Sequence, residues 1–319
     1  MTGSEPAGVI TARRFSKRFG SSVAVDALDL TVPGGLIYGF LGPNGAGKTT
    51  TIRALLGFIR PSAGATAIFG HDAWSDGLAA RSRLGYLVQP DALYGDMSGT
   101  AQLDYTAALS RARPVLRDRF LDALELDRRA LSRRLGTFSK GMRQKLALIA
   151  AFQTDPEVLI LDEPTDGLDP LIQRNFEELL RERAAAGRTV FMSSHDLAEV
   201  ERVCERVAII RAGRLVADER TEDLVRRRLR LAEIRFAGPV PGGLGDVPGV
   251  RLVDRPGDRV RLAIEGDLRP LLGFLAGQAV DDLILSPPRL EDVFFGFYGD
   301  HETTTGTTAT GADPVEVRP

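Results

Sequence analysis

The segment at residues 42–50 constrains the fold of this chain more than any other part of its sequence. It reads Gly-Pro-Asn-Gly-Ala-Gly-Lys-Thr-Thr and fits the pattern G-x-x-x-x-G-K-[ST]. The apolar run 36–41 before it predicts a buried strand, and residues 50–59 after it predict a helix. Glycines let backbone N–H groups turn inward, and a helix N-terminus attracts anions. This strand–loop–helix unit therefore predicts a binding site for nucleotide phosphates.

The chemistry of the loop gives its residues separate roles. The Lys48 ammonium can reach the β- and γ-phosphates, and the Thr49 hydroxyl can bind Mg²⁺. We expect a nucleoside triphosphate and Mg²⁺ as the ligands. The residues expected to contact the nucleotide are those of the loop and the first helical positions: Gly42, Pro43, Asn44, Gly45, Ala46, Gly47, Lys48, Thr49 and Thr50.

Composition limits the class of protein. The chain has 319 residues, which predicts one large domain or two unequal ones. Its formal net charge is −2, so the global charge does not favour nucleic acid as a partner. One cysteine, Cys204, excludes an internal disulfide. No apolar run approaches the roughly 18–20 residues that span a bilayer, so we expect any membrane-spanning helices to come from another polypeptide.

Strand and helix patterns predict an α/β fold in two parts. Residues 9–220 alternate apolar strands with helices, beginning with antiparallel strands in residues 9–41. A block without strand runs, about 90–155, predicts an inserted helical subdomain. The composition shifts near Glu219, and residues 221–300 predict a small α+β accessory domain. Within that domain we predict strands at 231–236, 250–253, 259–264 and 282–285 and helices at 268–276 and 290–298; residues 301–319 predict a disordered tail.

Polar residues follow several predicted strands of the first part. Asp162 and Glu163 come directly after the apolar run 158–161, and Gln89 and His195 also lie just past strand ends. Ligands bind at the carboxyl edge of parallel sheets, so these side chains are expected near the phosphate loop. Asp162 would hold Mg²⁺, and Glu163 would act as general base on water. Gln89 would sense Mg²⁺ and water, and His195 would contact the γ-phosphate.

Some of these residues also have a purely structural interpretation. A glutamine after a strand is often only a turn residue, and a single histidine in a loop is often structural. The basic run 225–230 fits either a solvated helix face or a contact with anionic lipid headgroups.

In motif order the chain resembles the ATP-binding cassette ATPases over about residues 9–220. The loop 42–49 is similar to the family's phosphate loop, Gln89 to its Q-loop, residues 138–142 to its signature, 158–163 to its second nucleotide motif, 167–169 to its D-loop and His195 to its switch histidine. The resemblance implies a P-loop NTPase cassette that hydrolyses ATP. It assigns nucleotide contacts to Ser139, Lys140, Gly141 and Asp169, adenine stacking to Phe19, and Mg²⁺ binding to Thr49, Gln89 and Asp162.

The signature departs from the common form Leu-Ser-Gly-Gly-Gln. Lys140 and Met142 replace a glycine and the glutamine, while Ser139 and Gly141 are kept. The variant is similar to that of bacterial ABC-2 ATPases that export drugs, antibiotics and polysaccharides, of the daunorubicin-resistance type. The C-terminal stretch 286–294 also resembles the end of the accessory domain of such exporters.

The resemblance also implies partners. Two cassettes of this family close on ATP, so we expect a second copy or a paralogue, together with transmembrane permease subunits on separate chains. The protein would then act at the cytoplasmic face of a bacterial membrane. Two alternatives remain open at this point: the ATPase subunit of an importer, and a soluble cassette protein acting on ribosomes or DNA.

Overall fold

The computed structural model describes residues 8–226, 230–255, 259–264 and 266–286. The chain divides into two compact units, residues 1–224 and 225–319, whereas the sequence pattern predicted a boundary at 220/221. The predicted helix 290–298, the predicted tail 301–319 and most of the stretch 286–294 lie outside the described residues, as does part of the basic run.

Fourteen strands and nine α-helices make up the described part of the two units. The strands are β1 (Ile10–Phe19), β2 (Ser22–Val32), β3 (Ile37–Leu41), β4 (Ala63–Ile68), β5 (His71–Asp72), β6 (Leu84–Tyr86), β7 (Val158–Asp162), β8 (Thr189–Ser194), β9 (Arg206–Arg211), β10 (Arg214–Arg220), β11 (Arg230–Phe236), β12 (Val250–Asp254), β13 (Arg259–Ile264) and β14 (Val280–Ser286). The helices are α1 (Lys48–Leu55), α2 (Gly77–Arg81), α3 (Gly99–Ser110), α4 (Arg117–Ala123), α5 (Lys140–Phe152), α6 (Pro170–Ala185), α7 (Leu197–Val203), α8 (Thr221–Arg226) and α9 (Arg269–Leu275).

A six-stranded sheet forms the centre of the first unit, in the order β10-β9-β3-β8-β7-β6. The strands from β9 to β6 run parallel, and β10 pairs antiparallel with β9. β3, β7 and β8 are buried along their whole length, as expected for parallel strands covered on both faces. Their carboxyl ends therefore meet at one edge of the sheet. This topology confirms the predicted α/β cassette.

A four-stranded sheet of order β2-β1-β4-β5 confirms the predicted antiparallel start of the chain. β1 is longer than the strand that the alternation of residues 9–12 indicates, because irregular pairing lets the strand continue to Phe19. The pairing with β2 shifts register between Ala12 and Phe15, and Arg14 has a positive φ of 45°. Such bulges bend and twist a strand without ending it.

The inserted helical subdomain contains α3, α4 and α5. Ser98 begins α3 and Ser139 begins α5, since each serine hydroxyl accepts a hydrogen bond from a backbone N–H in the first turn. Within the predicted helical block of about 90–155, residues 100–135 are not continuously helical. Short 3₁₀ turns at Arg128–Ser132 and Leu135–Thr137 replace a longer helix there.

Two helix boundaries differ from their predictions for local reasons. α1 ends at Leu55 and not near residue 59, because Gly57 takes a φ of 70° and an added Cβ would lie 2.2 Å from the Ala73 carbonyl oxygen. α6 begins at Pro170, seven residues before the start that the helical pattern of residues 177–186 indicates. Asp169 caps it, and a proline at the first helical position is compatible with the helix.

The second unit contains an antiparallel sheet of order β12-β13-β11-β14 with α9. Ile234, Val260, Leu262 and Leu271 are buried in its hydrophobic core. These elements match the strands and the first helix predicted for the accessory domain. Among the described residues of the chain, no helix is long and apolar enough to cross a bilayer.

Candidate active site

The loop 42–47 follows β3 and its glycines are required by close backbone contacts. A Cβ at Gly42 would lie 2.5 Å from the Ile210 carbonyl oxygen. Gly47 has a φ of 111°, and a Cβ there would lie 2.7 Å from the Ala24 carbonyl oxygen. Only glycine fits both positions, because any side chain would displace backbone. The curvature of the loop therefore depends on contacts with β2 and β9, which lie far away in the sequence.

The N-terminus of α1 points from this loop into a cleft. Its N-cap residue is Gly47, which has no side chain to cap the helix. The first N–H groups of a helix lack intrahelical acceptors and carry the positive end of the dipole. Pro43, Asn44, Gly45, Gly47 and Thr50 line the same cleft. This arrangement fits the phosphates of a nucleotide.

Lys48 is almost completely buried, and its ammonium group faces oxygen atoms. The Nζ atom donates to the Gly42 carbonyl oxygen at 2.6 Å and to the Pro43 carbonyl oxygen at 3.4 Å. It also lies 3.8 Å from Glu163 Oε1. Lys48 is thus held beside the loop, where its ammonium group could bind a phosphate oxygen.

Thr49 and Asp162 bring a hydroxyl and a carboxylate together at the ends of α1 and β7. Thr49 Oγ1 donates to Asp162 Oδ2 at 3.2 Å, and Ser193 Oγ donates to Asp162 Oδ1. Oxygen ligands of this kind suit a hard divalent cation such as Mg²⁺. Ser193, on β8, supports the aspartate from the neighbouring strand, and the sequence pattern did not assign it a role.

Glu163 lies between the lysine and the histidine that sequence reasoning singled out. Its carboxylate oxygen Oε2 is 2.7 Å from His195 Nδ1, and the His195 backbone N–H donates to the same oxygen at 3.3 Å. Glu163 has a φ of 50°, and its backbone N–H donates to the Ser193 carbonyl oxygen at 3.2 Å. The residue takes a left-handed conformation that is uncommon outside glycine, and in it the carboxylate lines the cleft.

The cleft around these groups has a volume of about 340 Å³. Its lining includes Lys48, Thr49, Gln89, Asp162 and Glu163, together with Ala24 and Asp166, which the sequence pattern did not single out. A second cleft of about 180 Å³ lies next to it and shares four residues with it, namely Gln89, Asp162, Glu163 and Asp166. Gln89 precedes the short 3₁₀ turn Pro90–Ala92 and borders both clefts.

The remaining predicted contact residues do not line the larger cleft. Ser139 Oγ caps α5 by accepting from the Met142 N–H at 3.2 Å, and Gly141 lies in the first turn of that helix. Asp169 Oδ1 caps α6. Phe19 is 53% exposed at the end of β1, with Lys17 Nζ 5.0 Å from its ring centroid.

Lys140 lines the second cleft and lies 3.4 Å from Asp166 Oδ2. Sequence reasoning missed two buried polar residues near this region, Gln144 on α5 and Glu199 on α7. Both are 3% exposed. Glu199 accepts a hydrogen bond from Ser194 Oγ at 2.7 Å, and burial raises its pKa to about 7. The available signal was a charged residue on the apolar face of a short helix, beside Val200 and Val203.

Comparison with known proteins identifies the family. The sequence profile of the ABC transporter family matches residues 25–166. Nod factor export ATP-binding protein I of Burkholderia lata is 35% identical over 92% of this chain and 98% of its own length. Daunorubicin resistance ATP-binding protein DrrA3 of Streptomyces coeruleorubidus is 35% identical over 91% of this chain and 96% of its own.

A solved ATP-binding subunit of an ABC transporter shares the fold. It is 30% identical, has a TM-score of 0.64 and covers 68% of this chain and 92% of its own. ATPases of this family bind nucleotide, dimerise and work with transmembrane subunits at a membrane. The chain belongs to the ATP-binding cassette family and is a transport-coupled ATPase subunit of the exporter type.

Proposed function

We propose that the chain hydrolyses ATP in the cleft below the loop 42–47, with Glu163 as the general base. The observation that carries this proposal is the convergence of Lys48, Thr49, Asp162 and Glu163 in one cleft at the carboxyl edge of the sheet. Lys48 and the N–H groups of the loop would hold the phosphates. Thr49, Asp162 and Gln89 would hold Mg²⁺, which when bound supplies positive charge for the transferred phosphoryl group.

His195 completes this arrangement by holding the base. With its Nδ1 2.7 Å from Glu163 Oε2, the ring orients one carboxylate oxygen, and the other can accept a proton from water. The histidine side chain is 65% exposed, so its ring is accessible for contact with a γ-phosphate. Gln89 borders both clefts and is suited to sense the attacking water without adding charge.

Two substitutions test the catalytic assignment. Glu163→Gln removes the base but preserves the shape of the site, so hydrolysis should fall by at least about a hundredfold while ATP still binds. Lys48→Ala should weaken ATP binding itself. Phosphate release and fluorescent-nucleotide titration measure the two properties, with Glu178→Gln on an exposed position of α6 as the control. Unchanged hydrolysis in Glu163→Gln would reject Glu163 as the base.

We further propose that the nucleotide site is completed by a second cassette, either another copy or a paralogue. Ser139, Lys140 and Gly141 begin α5 away from the larger cleft, which supports a role toward a nucleotide held by the partner. Asp169, at the start of α6, is assigned to the same interface. Phe19 is assigned to adenine stacking from its match to the family's aromatic position, and its exposed ring at the end of β1 supports this assignment.

Sedimentation of the Glu163→Gln variant tests the homodimer. It should be monomeric without nucleotide and dimeric with saturating ATP, because binding is retained and hydrolysis is blocked. The double variant with Lys48→Ala serves as the control and should stay monomeric. A Glu163→Gln chain that remains monomeric with ATP bound would contradict the homodimer and favour the paralogue.

The transport role is proposed from the relatives and from an exposed aromatic pair. One relative is named for Nod factor export and another for daunorubicin resistance, which supports drug- and antibiotic-type efflux through separate permease subunits at the cytoplasmic face. Tyr94, five residues after Gln89, and Tyr105 on α3 pack edge to face at 5.7 Å, and both residues are exposed. Exposed aromatic clusters are typical of protein interfaces.

Co-purification with a multi-helix membrane protein tests this role. The double variant Tyr94→Glu/Tyr105→Glu should lose the membrane partner and keep ATP binding, because the substitutions lie outside the nucleotide cleft. Isolation of the wild-type chain without any membrane partner would argue against it.

We assign residues 221–300 an accessory role in dimer contact or regulation.

A further inference from the structure

One buried hydrogen bond joins the signature helix to the segment that carries Glu163. Gln144, one turn into α5, is 3% exposed, and its Nε2 donates to the Pro164 carbonyl oxygen at 2.6 Å. Pro164 is the residue immediately after Glu163. Leaving a buried amide unpaired is unfavourable, so this contact constrains the helix and the segment together.

Other contacts between α5 and residues 164–167 are weaker. The Lys140 stem passes over Gly167, and its ammonium group faces Asp166 Oδ2 at 3.4 Å, with both side chains more than half exposed. Exposed ion pairs contribute little to stability. A Cβ at Gly141 would lie 3.2 Å from the Gly167 carbonyl oxygen, so the helix and the segment are in close contact. Of these contacts between α5 and residues 164–167, the hydrogen bond from Gln144 to Pro164 is the one that is buried.

The geometry of Glu163 explains why such a contact matters. Its positive φ of 50° is unfavourable for a residue with a side chain and must be held by its neighbours. On its N-terminal side, the Glu163 backbone N–H is hydrogen-bonded to Ser193 on β8. On its C-terminal side, Gln144 holds the next residue from α5.

We propose that Gln144 is a positioning residue for hydrolysis. By fixing the Pro164 peptide, it holds the Glu163 carboxylate in the cleft and connects the first turn of α5 to the base of the same chain. This inference rests on the proposed role of Glu163 as general base. It places a side chain of the helical subdomain, one turn beyond Ser139, in control of the hydrolytic rate.

A matched glutamine at the C-terminal end of α5 provides the control. Gln153 follows the last residue of α5, is 0% exposed, and donates from Nε2 to the Leu103 carbonyl oxygen at 2.9 Å and to Thr106 Oγ1 at 2.8 Å. It ties α5 to α3 within the helical subdomain. Gln144→Met and Gln153→Met thus remove the same kind of buried donor, and only the first touches the segment after Glu163.

The experiment compares steady-state hydrolysis, ATP binding and thermal unfolding of the two variants. Gln144→Met should lower kcat about tenfold or more, because small misplacements of a catalytic group are costly, and leave KM and ATP affinity within about twofold. Gln153→Met should keep kcat within about twofold while lowering Tm at least as much as Gln144→Met, because Gln153 also accepts a hydrogen bond from Arg117 Nε at 2.8 Å. Equal loss of kcat in both variants, or a wild-type kcat in Gln144→Met, would overturn the proposal.

Two further variants keep the test decisive. Gln144→Asn keeps the amide and withdraws its nitrogen from the Pro164 carbonyl by one methylene, so it replaces Gln144→Met if that variant does not fold and is judged by the same criteria. Glu163→Gln is measured in parallel. If it retains hydrolysis, the assignment of the base fails; if it abolishes hydrolysis and the Gln144 variants have wild-type kcat, only the positioning role fails.

Discussion

Glu199 makes the stability of the first unit depend on pH. Its carboxyl group is buried between α7 and the carboxyl edge of the sheet, where the Ser194 hydroxyl donates to its Oε2 at 2.7 Å and the Thr165 hydroxyl lies nearby. Its Oε1 atom meets no hydrogen-bond partner among the described residues. Burial is the largest cause of its raised pKa, and the negative charges of Asp196 and Glu177 add to it, although the two hydroxyls oppose the shift.

Two further groups, Arg202 and Cys204, interact with the Glu199 carboxyl group. Arg202 extends from α7 to Glu177, with its Nη2 2.8 Å from Oε1, and interacts electrostatically with Glu199 as well. The Cys204 thiol follows α7, and its pKa is raised first by its own burial and then by the charge of Glu199. Neither group supplies the hydrogen bond that Oε1 of Glu199 lacks, so the protonated carboxyl remains favoured up to about neutral pH.

The magnitude follows from the two pKa values. The ordinary value is 4.5 and the folded value is about 7. At pH values between 4.5 and 7, Glu199 keeps its proton in the folded chain but has lost it in the unfolded chain. The free energy of unfolding therefore falls as pH rises. This contribution is fully present below pH 4.5 and is lost as pH rises through 7. At about 1.4 kcal/mol per pH unit, the loss amounts to about 3 kcal/mol, most of it between pH 5 and pH 8.

Glu199→Gln removes the titration and keeps the size of the side chain. Its free energy of unfolding relative to the wild type should therefore increase by about 2–3 kcal/mol from pH 5 to pH 8. The sole tryptophan, Trp74, lies in the first unit, so its fluorescence during urea unfolding reports on the correct part of the chain. Glu178→Gln supplies the baseline. A difference in unfolding free energy between the wild type and Glu199→Gln that is the same at every pH would refute the reasoning.

Three other substitutions test the packing, a helix cap and the phosphate loop. Phe152→Ala should lower the free energy of unfolding by about 3–5 kcal/mol in urea titrations, because its ring stacks on Phe120 at 4.6 Å in the core; a loss below about 1 kcal/mol would contradict this. Asp169→Ala should cost about 1 kcal/mol in the same assay by removing the cap of α6, and an unchanged midpoint would speak against the cap. Gly47→Ala should weaken ATP binding at least about tenfold in nucleotide titrations, since its Cβ would press on the Ala24 carbonyl; wild-type affinity would show that the loop can adapt.

The sequence alone determined the class of fold and the parts of the site that are local in the chain. The glycine-rich loop, Lys48 and Thr49 all lie within residues 42–50. Their spacing predicts a strand–loop–helix unit without any knowledge of contacts between distant parts of the chain. Helix boundaries were less predictable, because they depend on single residues. Gly57 stops α1, and Asp169 with Pro170 starts α6 early.

The tertiary structure decided which distant residues meet. The order β3-β8-β7-β6 brings the phosphate loop, His195, Glu163 and Gln89 to one edge, although they lie far apart in the chain. The tertiary structure also determined that Gln144 and Glu199 are buried. A polar residue on a helix has no periodic signal for its partner. The packing of α5 against the segment after β7 determines the hydrogen bond of Gln144, and the packing of α7 against β8 determines the hydrogen bond of Glu199 and its pKa.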